Sequence, residues 1–538
     1  MPVQVPAETK TLPLGDKPYS TAIISLGVES CHNMHLENAQ SEDSKAAYYL
    51  VKNPGLRRFG AIPSVNEGAC RANYRSLLTG RQFMVFGAKV YEIMVNGLRS
   101  FIGALNTFAG PVKMADNGPL LMLVDGESGY IIQLFSPAVR TSDPPSVPVS
   151  VFTKITDEYF PGVGAGTLAP TFVTFIDTCF VVNNPNTNQY FYSTFNYVYS
   201  LANVDYTYDP AVANGYWNPL NSGAKIGQAD NINALTNCNN YIWLLGTNSC
   251  EVHYNTGNYN GQLFARYQGA ILNMGCNAPY SLAVYQNSIF FLGTDTAGTL
   301  GVWTNAGGMA PVRISTRGIE QIIEDMSKWS DCAAFCYAQN GHSFYVMQFP
   351  TVSRTLVYDT VTNAWHERTK LIQSTGLLAR WDGMYACEST GDQIIIGDAS
   401  TSATYVLDAN YYQNDNPMDS GVNYIRCVKT TPLAFSLGVR IMYYWAQVIC
   451  NQGSGTAVNT AAGVGVDPTV QVSWAEFGAP PWSDEVSAPI GRQGQPSTRS
   501  RVPSGGSGLN RQYRIVMTDP VPFILVALLV NARPARWG

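Results

Sequence analysis

Charged residues are scarce in this sequence. Of its 538 residues, 13% are Asp, Glu, Lys or Arg, against about 25% in an ordinary soluble domain. Acids and bases nearly balance, 38 against 33, and leave a net charge of −5. This balance excludes a chain whose whole surface attracts nucleic acid. The low charge of so long a chain favours a protein that is exported or built into an assembly.

Long apolar runs are also lacking. The longest, at 523–530, spans eight residues and is far too short to cross a bilayer. The first residues, MPVQVPAETKTLPLGDKP, contain no apolar stretch of signal-peptide length. The sequence therefore predicts neither a membrane span nor an export signal.

The cysteines do not indicate a disulfide framework. The eleven cysteines are odd in number and scattered, whereas a secreted disulfide scaffold has dense and usually even cysteines. We expect buried free thiols and assembly in a reducing cytoplasm.

Motifs for catalysis and cofactors are missing as well. There is no phosphate-binding loop of the Walker type and no nucleophile elbow. The acids Asp295, Asp382 and Asp398 lie at predicted turns, where Asp is favoured for backbone reasons. The five histidines form no recognisable metal-binding set; they are His32, His35, His253, His342 and His366. We expect no enzyme activity, no catalytic residue, no bound metal and no cofactor.

Strand signals dominate what is present. Aromatic and β-branched runs, broken by Gly, Asn or Asp, form seven packets that begin at residues 83, 120, 171, 237, 281, 341 and 393. A unit of about 40–60 residues with several short strands is typical of a β-propeller. The sequence predicts an all-β fold with a propeller of six or seven blades.

Helical periodicity is confined to one place. Ile319, Ile322, Ile323 and Met326 follow a helical spacing. Ser315 or Thr316 is placed to cap the helix. We predict one short amphipathic helix near 318–327.

The chain divides into three predicted parts. An N-terminal arm covers 1–52, and the propeller covers 53–430 with loop insertions near 138–171 and 190–230. An additional all-β domain covers 431–538. This last domain contains a loop with five arginines and no acid among them, which suits phosphate or an acidic protein surface. The candidate interaction residues are Arg492, Arg499, Arg501, Arg511 and Arg514. A solvated loop explains the same pattern.

Several segments resemble one family in a shared order. Asn53-Pro-Gly-Leu-Arg-Arg-Phe59 and, upstream, Cys31-His-Asn-Met-His-Leu-Glu37 resemble the entry segments of phage packaged-DNA stabilisation proteins. These are the tail accessory factors, or tail nozzles, of short-tailed phages. The residues 83–93 resemble the family's first hairpin. Val312–Met326 and Gly341–Arg368 (GHSFYVMQFP…VYD…WHER) resemble its helix and the stretch that follows.

This resemblance implies a structural virion protein, assembled in the host cytoplasm. It implies a ring, as a hexamer, below the portal or head-to-tail adaptor. The ring would extend the DNA channel and help to retain the packaged genome. Tail fibres, spikes or a plug would bind it, and double-stranded DNA would pass without sequence-specific contacts. The family brings no catalytic residues.

Two other readings of the residues stay open. The aromatic-rich packets also suit a carbohydrate-binding or glycoside-hydrolase-type propeller, although no pair of facing carboxylates is recognisable from sequence. A quinone-type oxidoreductase propeller lacks its repeated Trp motif here.

Overall fold

The computed structural model describes residues 8–14, 19, 29–39, 46–134, 151–163, 168–194, 216–258, 261–389, 393–433, 439–456, 464–476 and 480–535. Within these residues the chain forms 44 β-strands and one α-helix. The all-β prediction is confirmed. The predicted insertions at 138–171 and 190–230 lie partly outside the described residues, and their described parts include two blade strands.

The strands follow one another along the chain as follows. The N-terminal segment holds β1 (Glu8–Pro13), β2 (Cys31–His32), β3 (Met34–Asn38), β4 (Tyr48–Lys52) and β5 (Leu56–Arg58). Blade one is β6 (Cys70–Arg75), β7 (Gln82–Phe86), β8 (Lys89–Ile93) and β9 (Arg99–Ala104). Blade two is β10 (Lys113–Asp116), β11 (Leu120–Val124), β12 (Gly129–Gln133) and β13 (Val151–Lys154). Blade three is β14 (Val173–Ile176), β15 (Cys179–Asn183), β16 (Gln189–Ser193) and β17 (Trp217–Ala224). Blade four is β18 (Ile232–Cys238), β19 (Tyr241–Gly246), β20 (Cys250–Asn255) and β21 (Phe264–Leu272).

The remaining strands complete the propeller and the C-terminal part. Blade five is β22 (Ala283–Tyr285), β23 (Ser288–Thr294), β24 (Leu300–Thr304) and β25 (Val312–Arg313), followed by α1 (Arg317–Glu324). Blade six is β26 (Ala333–Gln339), β27 (His342–Phe349), β28 (Arg354–Asp359) and β29 (Ala364–Glu367); the hairpin β30 (Thr369–Leu371) and β31 (Leu378–Arg380) follows. Blade seven uses β32 (Gly383–Glu388), β33 (Ile394–Asp398) and β34 (Thr404–Leu407), and the hairpin β35 (Gln413–Asp415) and β36 (Val422–Tyr424) comes next. The C-terminal strands are β37 (Cys427–Thr430), β38 (Ile441–Cys450), β39 (Thr469–Glu476), β40 (Val486–Pro489), β41 (Ser500–Pro503), β42 (Ser507–Gly508), β43 (Arg511–Met517) and β44 (Ile524–Pro534).

The predicted propeller is confirmed. Six blades are separate four-stranded antiparallel sheets, and a seventh four-stranded unit, β26–β29, continues into a nine-stranded sheet. Each of the seven packets read from the sequence starts in a different blade. Central strands such as β7, β11 and β15 are buried along their whole length. Because neighbouring blades cover both faces of such a strand, its sequence becomes a continuous apolar run.

The N-terminal segment closes the ring of blades. Strand β5 supplies the outermost strand of blade seven by pairing with β34, so that Leu56 lies opposite Leu407. Just after β5, Gly60 packs backbone to backbone against Gly97 in the turn between β8 and β9 of blade one. Both glycines have positive φ, and a Cβ at Gly97 would lie 2.6 Å from the Gly60 nitrogen. This close contact joins the last blade to the first.

The predicted helix is confirmed. The hydroxyl of Thr316 caps α1 by accepting a hydrogen bond from the Ile319 amide at 3.4 Å. Ile319 and Ile323 are buried and Ile322 is half-buried. These side chains join a core that also contains residues of β1 and of the C-terminal strands.

The C-terminal strands share both of their sheets with other parts of the chain. One sheet has the order β3-β4-β44-β38-β41, with β1 also paired to β44 and β42 to β38. The nine-stranded sheet runs from β26–β29 through β2 to β37, β43, β39 and β40. The N-terminal arm therefore does not stand apart from the C-terminal strands, because it supplies β1, β3 and β4 to their sheet and β2 to the junction with blade six.

Candidate functional site

The axial channel of the propeller is a first candidate site. It is a cavity of about 710 Å³ whose lining includes residues from the first strand of each blade, namely β6, β10, β14, β18, β22, β26 and β32. Its wall is mainly apolar or neutral, with Lys113 and Asp116 as its charged residues.

Lys113 crosses this channel. It belongs to blade two, yet its ammonium donates a hydrogen bond to the Leu282 carbonyl near blade five at 3.5 Å. The same nitrogen lies 5.3 Å from the ring centre of Phe172, which stacks on Tyr280. Burial of the ammonium lowers the pKa of Lys113 to about 8. With these side chains in place, the channel has the volume of a ligand pocket.

A second candidate site, which we call the joint, lies where the N-terminal segment meets blade six. Arg368 is 2% exposed and donates hydrogen bonds to the Tyr337 hydroxyl at 2.7 Å and to the Pro54 carbonyl at 2.6 Å. Its guanidinium also lies over the ring of Trp381, 3.8 Å from the ring centre. Burial lowers the pKa of Arg368. This arginine thus ties the Pro-Gly turn before β5 to the propeller.

Next to Arg368, an ion pair within blade six holds Tyr19 of the N-terminal segment. The buried carboxylate of Glu367 accepts two hydrogen bonds from Arg354, at 2.7 and 2.8 Å, and one from the Tyr19 hydroxyl at 2.8 Å. Burial alone would raise the pKa of Glu367, but the charges of His32 and Arg354 and the hydrogen bonds hold it below its usual range.

Two histidines and a glutamate meet in the same joint. The Nε2 atom of His342 lies 3.0 Å from a carboxylate oxygen of Glu37, and the Nε2 atom of His35 lies 4.0 Å from the same oxygen. The other ring nitrogen of each histidine is held by an oxygen acceptor: Asn53 for His35 and Asp359 for His342, both at 2.7 Å. Burial lowers the pKa of His35 to about 4. The hydrogen bond to Asp359 raises the pKa of His342.

The sequence did not predict this cluster. His35 and His342 are separated by about 300 positions, and no spacing rule joins them. His32 and His35 lie on separate strands, β2 and β3, and Asn33 between them turns the chain with φ 59°. The available signal was the resemblance itself, since its segments Cys31–Glu37, Asn53–Phe59 and Gly341–Arg368 all meet at this joint.

The five predicted arginines do not form one group. Arg492 pairs with Asp467, Arg511 with Glu476 at 2.9 Å, and Arg514 with Glu485 at 3.3 Å. Arg511 is buried, with its guanidinium 4.0 Å from the ring centre of Tyr443, and Arg514 is half-buried.

Arg501 and Arg499 are exposed. Arg501 stacks on Trp445 at 3.9 Å and donates to Gln447, whereas no ion pair of Arg499 is present among the described residues. Acids from neighbouring strands therefore offset much of the positive charge that the loop carries in the sequence.

The cysteines and the turn acids match their expected places. All eleven cysteines are free thiols, and eight of them are buried. Asp295 accepts hydrogen bonds from the amides of its own turn, at 2.8 and 2.9 Å. Asp398 does the same at 2.7 Å. Asp382 instead pairs with Lys370 at 2.8 Å, and burial together with the charge of Asp398 raises its pKa to about 6.

Comparison with known protein families gives one match. The model of the phage stabilisation family, described as "Bacteriophage P22 Gp10, beta-propeller", matches residues 29–412. The chain belongs to this family. Family membership assigns it a structural or stabilising role in a bacteriophage particle. The match begins before β2 and ends after blade seven, so it spans the propeller and the joint that closes it.

Similar solved structures are propellers with low identity. The WD40 β-propeller domain of Doa1 is 8% identical, with a TM-score of 0.35, over 66% of this chain and 97% of that one. The exo-β-1,3-galactanase of Phanerochaete chrysosporium, solved with galactose, is 11% identical, with a TM-score of 0.27, over 78% and 95%. No curated protein sequence matches the chain. Among the described residues, no helix combines the length and apolar character that crossing a membrane requires.

Proposed function

We propose that this chain is the tail-nozzle subunit of a short-tailed phage. Six copies form a ring below the portal or adaptor, extend the DNA channel, help to retain the packaged genome and anchor tail fibres, spikes or a plug. The observation that carries this proposal is the match of the phage stabilisation family over 29–412. The low charge of the chain supports it, because interfaces between subunits deplete Lys, Asp and Glu and favour Tyr and Trp.

The DNA path in such a ring would lie between the copies. The channel inside one propeller has a volume of about 710 Å³ and is crossed by Lys113. A cavity of this volume has the size of a small-ligand pocket, which is far too small for a duplex whose major groove alone is about 12 Å wide. A closed ring of identical subunits instead encloses a central passage on its symmetry axis. Six copies would carry six times −5, or −30, and a passage of the same sign as DNA lets the duplex slide without adhering.

Blade one offers a surface for a neighbouring copy. Leu77 and Leu78 lie in the turn between β6 and β7, and Val95 and Leu98 lie in and beside the turn between β8 and β9. In a four-stranded meander these two turns emerge at the same end of the blade. All four side chains are at least 60% exposed. Exposed apolar side chains gathered at one end of a blade are typical of protein–protein contacts.

Exposed arginines of the C-terminal part suit a different partner. Arg499 lies just before β41 and Arg501 lies on it, in the part of the sequence that follows the family match. With Arg492, they present guanidinium groups that suit an acidic surface of an adaptor, a fibre or a plug. Replacing Arg499 by Glu should weaken that contact and leave the ring itself intact.

The decisive measurement is the mass and shape of the purified full-length chain, alone and mixed with its portal or adaptor. Six chains of 58.6 kDa give about 352 kDa, and electron microscopy should show a hollow six-fold ring. Leu78→Asp should prevent ring formation, whereas Leu220→Asp, at a comparably exposed leucine on the outermost strand of blade three, is the matched control. A monomer that forms no ring under either condition contradicts the proposal.

A further inference from the structure

We propose that His35, Glu37 and His342 bind one divalent transition-metal ion of the zinc class. The ion would join strand β3 of the N-terminal segment to strand β27 of blade six. Among the described residues, these three form the one group of His, Cys, Asp or Glu side chains arranged to hold a metal. This site is independent of the proposed ring, since its three ligands belong to one chain.

The ligand atoms are spaced as a metal requires. The two histidine Nε2 atoms and the carboxylate oxygen of Glu37 lie within 4.8 Å of one another, with individual distances of 3.0 and 4.0 Å to the Glu37 oxygen. Zinc binds imidazole nitrogen and carboxylate oxygen at about 2.0–2.2 Å, so two ligand atoms of a tetrahedral site lie about 3.3–3.5 Å apart. Small side-chain movements bring the three atoms to these separations.

Each histidine is also oriented as a metal ligand is. The Nδ1 atom of His35 lies 2.7 Å from the amide oxygen of Asn53, to which it donates in its Nδ1–H tautomer, and Nδ1 of His342 faces the Asp359 carboxylate. Metal-bound histidines usually present one nitrogen to the ion and donate the other N–H to a carboxylate or carbonyl. Both rings follow this arrangement, with their Nε2 atoms toward Glu37.

Protonation of a histidine accounts for the contacts of His342 but not for those of His35. A protonated His342 would bridge Asp359 and Glu37 without any metal, at 2.7 and 3.0 Å. His35 is different: in the neutral tautomer whose Nδ1–H donates to Asn53, the lone pair of Nε2 faces the Glu37 carboxylate, 4.0 Å away. Two electron-rich atoms in this position repel each other, and a shared cation reverses that repulsion.

Access and a fourth ligand are both available. The side chain of Glu37 is 27% exposed, so that an ion can reach the site from solvent. The Nε2 atom of the buried His366 has no hydrogen-bond partner among the described residues, and its ring centre lies 6.5 Å from that of His35. A water molecule would complete four-coordination, and His366 could act as the fourth ligand only after its ring moves closer.

The test measures metal per chain in the full-length protein. The chain is stripped with a chelator, dialysed against Zn²⁺ and analysed by plasma mass spectrometry, and we expect about one ion per chain in the wild type. His35→Gln and His342→Gln should each lose it. The control is His253→Gln, because His253 is equally buried and lies 3.4 Å from Glu251 but belongs to no group of three possible ligands in the part of the chain that the structure describes; it should keep the ion.

A second readout covers the case in which a variant does not fold. X-ray absorption at the zinc edge of the loaded wild type should show two or three imidazoles and oxygen ligands. Zn²⁺ should also raise the melting temperature of the stripped wild type, since a ligand that binds the native state stabilises it. A wild type that retains no zinc after dialysis, a sulfur-containing coordination shell, or a folded His35→Gln variant that still binds the ion overturns the proposal.

Discussion

The ion pair between Glu367 and Arg354 allows a sharp test of how the N-terminal segment is held. In Glu367→Gln, the amide keeps one acceptor oxygen and turns an NH₂ group toward the Arg354 guanidinium. The carboxylate now accepts three hydrogen bonds of 2.7–2.8 Å. Hydrogen bonds to charged groups contribute about 1.5–3 kcal/mol each, and breaking a buried pair costs about 3–5 kcal/mol. The Arg354 side chain is 35% exposed, and water therefore offsets part of this loss. We expect the free energy of unfolding to fall by about 2–3 kcal/mol.

Two measurements report this loss. Guanidinium denaturation followed by tryptophan fluorescence gives the change in stability. Hydrogen exchange of peptides that cover β2 and β29 should accelerate about 30- to 140-fold, if these strands open together with the rest. Glu324→Gln is the matched control, because Glu324 also makes two hydrogen bonds to one arginine, Arg317, but on the surface. Exposed pairs contribute little, so the control should show no resolvable change.

The pH dependence has a definite sign. The pKa of Glu367 is lower in the folded chain than its usual value of 4.5. The stabilisation is therefore fully present above pH 4.5 and is lost as the pH falls below it. The gap between the wild type and Glu367→Gln should shrink in the same direction. A gap that is constant with pH, or a control as destabilised as the variant, would refute the reasoning.

Three further predictions rest on single residues. Burial and a neighbouring carboxylate raise the pKa of Asp382 from 3.8 to about 6, so the stabilisation that its protonated form provides is lost as the pH rises through 6. Between pH 4 and pH 8, the free energy of unfolding of Asp382→Asn should therefore rise relative to that of the wild type by up to about 3 kcal/mol, as measured by denaturation at each pH. Gly97→Ala should destabilise the chain by more than the roughly 1–3 kcal/mol of a positive φ alone, because its Cβ meets Gly60; Gly298→Ala, with a similar φ and open space, gives the φ contribution by itself in the same thermal melts. Thr316→Ala should cost about 0.5–2 kcal/mol through the lost helix cap, with Thr316→Ser restoring stability.

The sequence was most informative where strands are buried on both faces. Packets such as FMVFGAKVYEI correspond to β7 and β8, and QIIIGDASTSATYVL to β33 and β34, because blade stacking forces a continuous apolar run on each central strand. The helix was recognised for the same kind of reason, since one buried face imposes a period.

The sequence does not indicate which strands pair when they lie far apart along the chain. Strand β5 has three residues, and nothing in Leu56–Arg58 indicates that it pairs with β34, about 350 positions away. The histidine cluster was hidden for the same reason. The five arginines looked like one basic loop because their acidic partners, such as Asp467 and Glu476, lie outside it.

The shared sheets also fix the order in which the chain can finish folding. Strands β1 and β4 pair with β44, and β5 pairs with β34, so these strands wait for partners that the ribosome makes hundreds of residues later. At about 5–20 residues per second, the roughly 470 residues between β5 and β44 take about 25–95 s to synthesise. Throughout this time β1, β3 and β4 have unpaired edges, which are sites of aggregation. Loss of β44 would therefore leave β1 and β4 without their shared partner, and nascent chains should depend on a chaperone until β44 has been made.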